Sequence, residues 1–124
     1  MATALWGIGL TGDFSTAENG WQATMNANLR KLTTLTQAVA KDKDQATPPG
    51  SPTTGDTYIV AASPTGAWSG HATAVTVWDG TAWVFYAPSK GWRIYVDDED
   101  ADYRFDGASW VILWALLHKL TPIV

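Results

Sequence analysis

The sequence predicts an α+β protein with one N-terminal helix followed by an antiparallel β-meander of five to six short, Trp-rich strands. Three observations predict this class: apolar residues recur at helical spacing within residues 19–41, a Pro-rich linker follows at residues 42–56, and two Asp-Gly turns separate aromatic runs within residues 57–113. Apolar segments at residues 1–18 and 114–124 flank these regions. We expect them to form extended terminal arms.

Composition narrows the class of protein further. A chain of 124 residues has the size of one domain, and its eight Trp, four Tyr and three Phe supply enough apolar area for a compact core. There are no cysteines, so disulfides and thiolate metal sites are excluded. The net charge of −4 argues against nucleic acid as a partner. The longest apolar run, residues 110–117, is far shorter than the roughly 20 residues that span a bilayer, so we expect no membrane insertion.

The helix is predicted from the spacing of its apolar residues. Steps of three or four place six of them on one face, namely Trp21, Met25, Leu29, Leu32, Leu35 and Val39. The strongest part of the pattern covers residues 24–39, and three prolines within residues 47–52 end it. The Pro-rich segment is expected to be an extended, polyproline-like linker. The first strand then begins at Thr57, in a β-branched and aromatic run.

Two hairpins in the β-region are related to each other. Residues 78–83 (Trp-Asp-Gly-Thr-Ala-Trp) and residues 105–110 (Phe-Asp-Gly-Ala-Ser-Trp) align at a constant offset of 27. Asp-Gly between apolar runs is the strongest short hairpin signal, and the aromatic residues on either side of each turn are placed to pair across the strands. The sequence therefore contains an internal repeat of two hairpins, which is too few for a solenoid or propeller.

Several ordered motifs between about residues 20 and 112 resemble a known family. They are the run Thr24–Leu32, the Pro-rich linker, residues 55–60 (Gly-Asp-Thr-Tyr-Ile-Val), residues 66–71 (Gly-Ala-Trp-Ser-Gly-His), Gly91-Trp92 and the two repeated hairpins. Together they resemble the domain of unknown function found in phage and prophage proteins of alphaproteobacteria and in their gene transfer agents. Members include tail-fibre-like and head-spike proteins.

The resemblance implies a structural component of a virion, made in the bacterial cytoplasm and assembled into a phage or phage-like particle. Its expected partners are other virion proteins, such as a capsid, spike, fibre or tail component. Members of the family typically stand at the N-terminal part of proteins that recognise cell-surface polysaccharide. The family offers no established functional residues to place on this sequence.

Host surface polysaccharide suggests a candidate glycan site. Exposed aromatic rings can stack on the apolar face of a sugar while carboxylates accept its hydroxyl hydrogen bonds, and Trp68, Asp79, Tyr86 and Trp92 could do this. The competing interpretation is that these rings form the core of a small domain whose strands contain few Leu and Ile. The sequence favours the core, and a carbohydrate-binding module is the alternative function.

Neither metal nor catalytic chemistry has positive support in the sequence. Asp98, Asp100 and Asp102 have the spacing of a calcium loop, but Tyr103 replaces the required Gly and Ser109 stands where the final Glu belongs. We interpret this segment as an acidic, solvated turn. His71 is interpreted as a turn residue, and no nucleophile, zinc or phosphate-loop motif is present. We expect no cofactor and no enzymatic activity.

The apolar ends of the chain are the candidate assembly interface. They contain more large apolar residues than one small core needs: Leu5, Trp6, Ile8, Leu10, Trp114, Leu116, Leu117, Leu120 and Ile123. Exposed apolar patches of this kind mark interfaces, and virion proteins commonly form rings or trimers, so a homo-oligomer is expected. The alternative is that the two ends pack on each other or on the helix within one subunit.

Overall fold

The computed structural model describes residues 3–4, 7–12 and 19–113, and it divides the chain into two compact units, residues 1–36 and 37–124. The elements follow in the order β1 (Thr3–Ala4), β2 (Thr11–Gly12), α1 (Trp21–Leu35), β3 (Val39–Ala40), β4 (Thr57–Ile59), a 3-10 turn (Gly66–Trp68), β5 (Val75–Trp78), β6 (Trp83–Tyr86), β7 (Arg93–Val96), β8 (Ala101–Phe105) and β9 (Trp110–Ile112). One helix followed by short, mostly antiparallel, Trp-rich strands confirms the predicted α+β class.

In the N-terminal unit, a short strand pair is hydrogen-bonded to the helix. β1 and β2 pair antiparallel, so the described part of the predicted arm is a small hairpin. The Asn28 side chain of α1 accepts a hydrogen bond from the Thr11 amide (3.1 Å) and donates one to the Thr11 carbonyl (2.7 Å). Because a carboxamide that satisfies both polar groups of one residue acts like a neighbouring strand, this contact fixes β2 against the helix.

The helix is shorter at its C-terminal end than the sequence predicts. It ends at Leu35, and Gln37 then adopts a left-handed conformation with φ of 54°. Val39, predicted to lie on the apolar helix face, belongs to β3, which pairs parallel to β7. The correction has a physical reason, since β-branched residues enter strands easily and hydrogen bonds from distant strands replace those of a further helical turn.

The segment after the helix belongs to both sheets of the C-terminal unit. Its carbonyls at Ala38 and Ala40 accept hydrogen bonds from β7 and from the residue that follows it, at 2.9 and 2.8 Å. Further along, the Lys41 amide donates to Thr57 of β4 (2.7 Å) and the Ile59 amide donates to Asp42 (3.1 Å). Residues 38–42, which include the start of the predicted linker, are therefore hydrogen-bonded to β7 and to β4. We call residues 38–42 the docked segment.

The strands form two sheets that we call the first and second sheet. The first sheet has the order β4-β5-β6 and is antiparallel throughout. The second sheet has the order β3-β7-β8-β9, with antiparallel pairing except at β3. Both hairpins predicted from the Asp-Gly turns are present, as β5–β6 and β8–β9.

The internal repeat is longer than the two hairpins that reveal it in the sequence. The three consecutive strands β4–β6 and the three consecutive strands β7–β9 each follow the same Pro-x-x-Gly turn, at residues 52–55 and 88–91. In both copies the glycine amide donates, at 2.8 Å, to the aromatic residue that precedes the Asp-Gly turn: Gly55 to Trp78, and Gly91 to Phe105. Residues 52–112 therefore consist of two three-stranded meanders with the same turns in the same order.

The buried residues follow the alternation of the strands. In β7 and β8 every second residue is buried, and these are Ile94, Val96, Ala101, Tyr103 and Phe105. The first sheet is buried on both faces: Ile59, Val75 and Val77 lie on one face, and Tyr58 and Thr76 lie on the other. A sheet that is buried on both faces needs a second layer on each side.

Candidate functional site

The four candidate glycan residues do not share one surface. Trp68 has no exposed area and Tyr86 is only 9% exposed, so neither ring is available to stack on a sugar. This corrects the glycan role considered for both residues and agrees with the alternative that they belong to the core. Asp79 lies in the β5–β6 turn of the first sheet, whereas Trp92 precedes β7 of the second sheet and remains partly exposed.

Trp68 is the centre of an aromatic cluster on the face of the first sheet that carries Tyr58. Its ring lies 5.4 Å from that of Tyr58 and 5.2 Å from that of Trp83, and Val60 and Ala74 complete the buried group. The indole N–H of Trp68 has no hydrogen-bond partner among the described residues. The rings of Trp68 and Trp83 meet at 82°, an edge-to-face arrangement in which a ring edge is attracted to an aromatic face.

A loop that only the first repeat contains supplies Trp68. The repeats differ between their first two strands, where residues 61–73 replace the tight turn at residues 97–100. The loop carries the 3-10 turn, and His71 stacks flat on Phe85 with ring centroids 3.7 Å apart. It also accepts a hydrogen bond at Thr73 from the Trp110 indole (2.9 Å), which joins it to the second sheet. The loop therefore serves as the cover of an otherwise exposed sheet face.

The aspartate carboxylates of the Asp-Gly turns accept hydrogen bonds from the backbone of their own turns. In each turn one aspartate oxygen accepts two backbone N–H groups at 2.8 Å, from Thr81 and Ala82 for Asp79 and from Ala108 and Ser109 for Asp106. These hydrogen bonds, from Ser109 first, lower the pKa of Asp106 below its ordinary value. An oxygen that already holds two donors is a poor acceptor for a sugar hydroxyl, so the structure gives Asp79 a role in the turn.

The acidic turn supports the tyrosines of the strands that flank it. The Tyr95 hydroxyl donates to Asp100 and the Tyr103 hydroxyl donates to Glu99. The hydrogen bond to Asp100 raises the pKa of Tyr95 to about 12, and burial, followed by the Glu99 contact, raises that of Tyr103 to about 12. Lys43 pairs with Glu99 at 3.5 Å. Within residues 7–12 and 19–113 no group of three His, Asp or Glu side chains is placed to hold a metal ion.

Lys41 and Asp56 form an ion pair between the docked segment and the turn before β4. Their charged atoms are 2.9 Å apart, and the Thr53 amide donates to the other Asp56 oxygen at 2.9 Å. The Thr53 hydrogen bond and then Lys41 lower the pKa of Asp56, while Asp56 raises that of Lys41. Both shifts favour the charged forms, so the contact is strongest near neutral pH.

We expect Asp56→Asn to reduce stability at neutral pH by about 1 kcal/mol and to have almost no effect at low pH. Because the folded pKa of Asp56 is lowered, its contribution is complete above the unfolded pKa of about 3.9 and disappears as the pH falls through the folded pKa. Urea unfolding of both proteins at pH 7 and at pH 2.5 measures this difference. A difference that stays constant between the two pH values would contradict the assignment.

The candidate assembly residues lie mostly outside the described part of the chain. This applies to Leu5, Trp6, Trp114, Leu116, Leu117, Leu120 and Ile123. Ile8 and Leu10 are described, and both are partly buried within the N-terminal unit. Their burial is consistent with the open alternative that part of the arm packs within its own subunit.

Part of the predicted apolar face of the helix is exposed. Trp21, Leu29 and Leu32 share one face of α1 and are 47%, 54% and 37% exposed. We call these three residues the helix stripe. Asn28, which binds Thr11, lies at one border of the stripe. No helix in residues 19–113 is long and apolar enough to cross a membrane.

These features define a class of protein: a helix with an exposed apolar stripe, followed by two tandem three-stranded meanders with Asp-Gly hairpins. The model of a family described as a protein of unknown function, DUF2793, matches residues 25–111. The match runs from the second turn of the helix into β9 and covers well over half of the chain. The chain belongs to this family. No curated protein matches the sequence.

Proposed function

We propose that this chain is a structural, non-enzymatic protein of a tailed phage or gene transfer agent. It serves as an adaptor at the head spike, the fibre base or the tail tip during host attachment. The single observation that carries the proposal is the helix stripe, because three large apolar side chains on one helix face are more than a helix normally leaves in water. The motifs that resemble phage and gene-transfer-agent proteins supply the biological setting.

The chemistry of the stripe suits assembly. Between Asn19 and Lys41 the sequence contains no acidic residue, and the positive charges at Arg30 and Lys31 lie off the stripe. Contacts between copies of this face are therefore apolar, and protein interfaces typically have such an apolar centre with a polar border. Self-association through the stripe gives the homo-oligomer that an adaptor needs to match a symmetric particle.

The carbohydrate-binding alternative now rests on fewer residues. With Trp68 and Tyr86 buried, Trp92 is the one ring of the original set that is partly exposed, and the Asp79 carboxylate serves its own turn. Sugar recognition generally uses an aromatic face together with convergent polar groups. The adaptor is therefore the function that we put forward.

Particle composition tests the proposal. Particles from a bacterium that encodes this chain are purified on a density gradient, and each fraction is analysed by mass spectrometry. We expect the chain to sediment with the major capsid protein at a fixed ratio. We expect a variant with the helix stripe changed to Gln at all three positions to remain in the soluble fraction, because it lacks the apolar contact.

A matched variant controls for expression and folding. Changing Ala23, Arg30 and Thr33 to Gln alters three exposed residues away from the stripe on the same helix, and this protein should still enter particles. Intact particles without the chain in any gradient fraction would contradict the proposal.

A further inference from the structure

The outward face of the second sheet contains an unusual pair of charges. Arg93 of β7 and Arg104 of β8 are direct cross-strand partners, and the adjacent outward pair is Tyr95 with Asp102. The alternating residues Ile94 and Tyr103 are buried on the opposite face. Side chains of directly opposed residues start about 5 Å apart, so the two guanidinium groups belong to one surface patch.

The arginine pair has no counter-ion within the described part of the chain. No ion pair joins Arg93 or Arg104 to a carboxylate there. After the hydrogen bond from Ser109, the charge of Arg104 lowers the pKa of Asp106 by long-range electrostatic attraction alone. Like charges directly opposite each other destabilise an antiparallel pair. Two arginines that have no ion-pair partner among residues 7–12 and 19–113, in a chain of net charge −4, therefore indicate a partner that supplies negative charge.

The same hairpin carries the opposite charge at its other end. The turn at residues 97–100 joins β7 to β8 and contains four consecutive acidic residues. All four are exposed, and Glu99 and Asp100 also bind the tyrosine hydroxyls. Burial and the neighbouring charges of Asp42 and Glu99 raise the pKa of Asp98, as expected where negative charge is concentrated.

We infer that the Arg93–Arg104 pair of one copy binds the Asp97–Asp98 turn of a second copy. Strand residues advance about 3.3 Å each, so Arg93 and Asp97 lie roughly 13 Å apart along one rigid strand and cannot meet within one molecule. Between copies their charges are complementary, and arginine is well suited to bind carboxylates with two hydrogen bonds. A contact between different patches is head-to-tail, and it closes a ring when the rotation permits.

This inference rests on the self-assembly in the proposed function and adds a second contact to it. Arg93→Glu is the most informative variant. In the monomer it places Glu opposite Arg104 and removes the repulsion, so the melting temperature should stay the same or rise. We expect its dissociation constant for self-association, measured by light scattering across a dilution series at low salt, to be at least tenfold higher than that of the wild type.

Charge and salt controls separate this contact from general electrostatics. Lys90→Glu makes the same charge change at an exposed lysine outside the pair and should leave the dissociation constant unchanged. Raising the ionic strength should weaken wild-type association and have much less effect on Arg93→Glu, since salt screens exposed charges. Equal dissociation constants for Arg93→Glu and Lys90→Glu would overturn the inference.

Mixing two variants tests the pairing itself. A protein with Asp97→Arg and Asp98→Arg keeps its arginine pair, and Arg93→Glu with Arg104→Glu keeps its acidic turn. Each alone should associate weakly, because its two patches carry the same charge. The mixture should associate with equal numbers of the two variants, because both patches of one variant are complementary to those of the other. A mixture that associates no better than its components overturns the inference, as does binding of the anionic polysaccharide polygalacturonate by the arginine pair in place of a second copy.

The outcomes also separate this inference from the proposed function. Assembly that depends on the helix stripe but ignores the charge variants would overturn the arginine contact and leave the adaptor proposal standing. If the chain is absent from purified particles but the mixed charge variants associate in solution, the adaptor proposal is overturned and the arginine contact stands.

Discussion

Trp68→Ala is expected to lower the free energy of unfolding by about 3–5 kcal/mol, the cost of removing a large aromatic side chain from a core. Trp68 has no exposed area and packs against Tyr58 and Trp83, so the substitution removes the centre of the cluster and exposes one face of the first sheet. For a domain of this size the loss corresponds to a decrease of roughly 12 °C or more in melting temperature. Guanidinium unfolding monitored by near-ultraviolet circular dichroism measures it.

Two matched variants serve as controls for this experiment. Trp68→Phe keeps an aromatic ring and sacrifices no hydrogen bond, because the indole N–H has no partner among the described residues, so it should cost far less than Ala. Trp21→Ala changes an indole that is 47% exposed and should cost less than about 1 kcal/mol. Equal losses for Trp68→Ala and Trp21→Ala would contradict the core position of Trp68.

The Trp68 result also bears on glycan binding. A Trp68 variant that no longer binds sugar would report partial unfolding of the first sheet, since the ring is buried. Trp92, which is partly exposed, is the residue with which a sugar titration should be controlled. Tryptophan serves both buried cores and exposed sugar platforms, so its sequence context alone does not separate the two roles.

The hairpins could be predicted because their signals are local. Asp79 and Asp106 each bind the backbone of the residues that follow them, and Gly80 and Gly107 adopt φ values of 102° and 106° that favour glycine. The aromatic pair on either side of each turn packs as expected, with ring centroids 5.3 and 5.2 Å apart. Each of these contacts joins residues that are at most five positions apart in the sequence.

The features that escaped prediction depend on distant partners. Val39 continues the helical spacing of apolar residues, yet it pairs with Tyr95 in a strand, and no local signal identifies that partner. The full repeat could have been found from the Pro-x-x-Gly turns at residues 52–55 and 88–91, but their offset of 36 differs from the 27 of the hairpins. The extra loop of the first repeat causes this change and hides the full repeat.

The arginine pair escaped prediction for a related reason. Arg93 and Arg104 are eleven positions apart in the sequence, and the register of β7 and β8 alone makes them direct neighbours. That register is set by the length of the acidic turn and by the burial of alternate residues, so a shift of one residue would remove the pair. The helix stripe is different, because its spacing predicted an apolar face and the structure determines that this face is exposed.

The most direct test of assembly is the solution mass of the protein with and without the helix stripe. Burying Trp21, Leu29 and Leu32 completely should stabilise a complex by on the order of 3 kcal/mol per copy, since each is already about half covered. Changing all three to Gln, which keeps helix propensity, should raise the dissociation constant more than a hundredfold. Light scattering across a dilution series measures the mass, and far-ultraviolet circular dichroism confirms that the helix remains.

We predict that the wild-type protein and the variant with Ala23, Arg30 and Thr33 changed to Gln are oligomers of equal mass, whereas the stripe variant is a folded monomer. A wild-type protein that is monomeric at every concentration, or a stripe variant that keeps the wild-type mass, would contradict assembly through the helix.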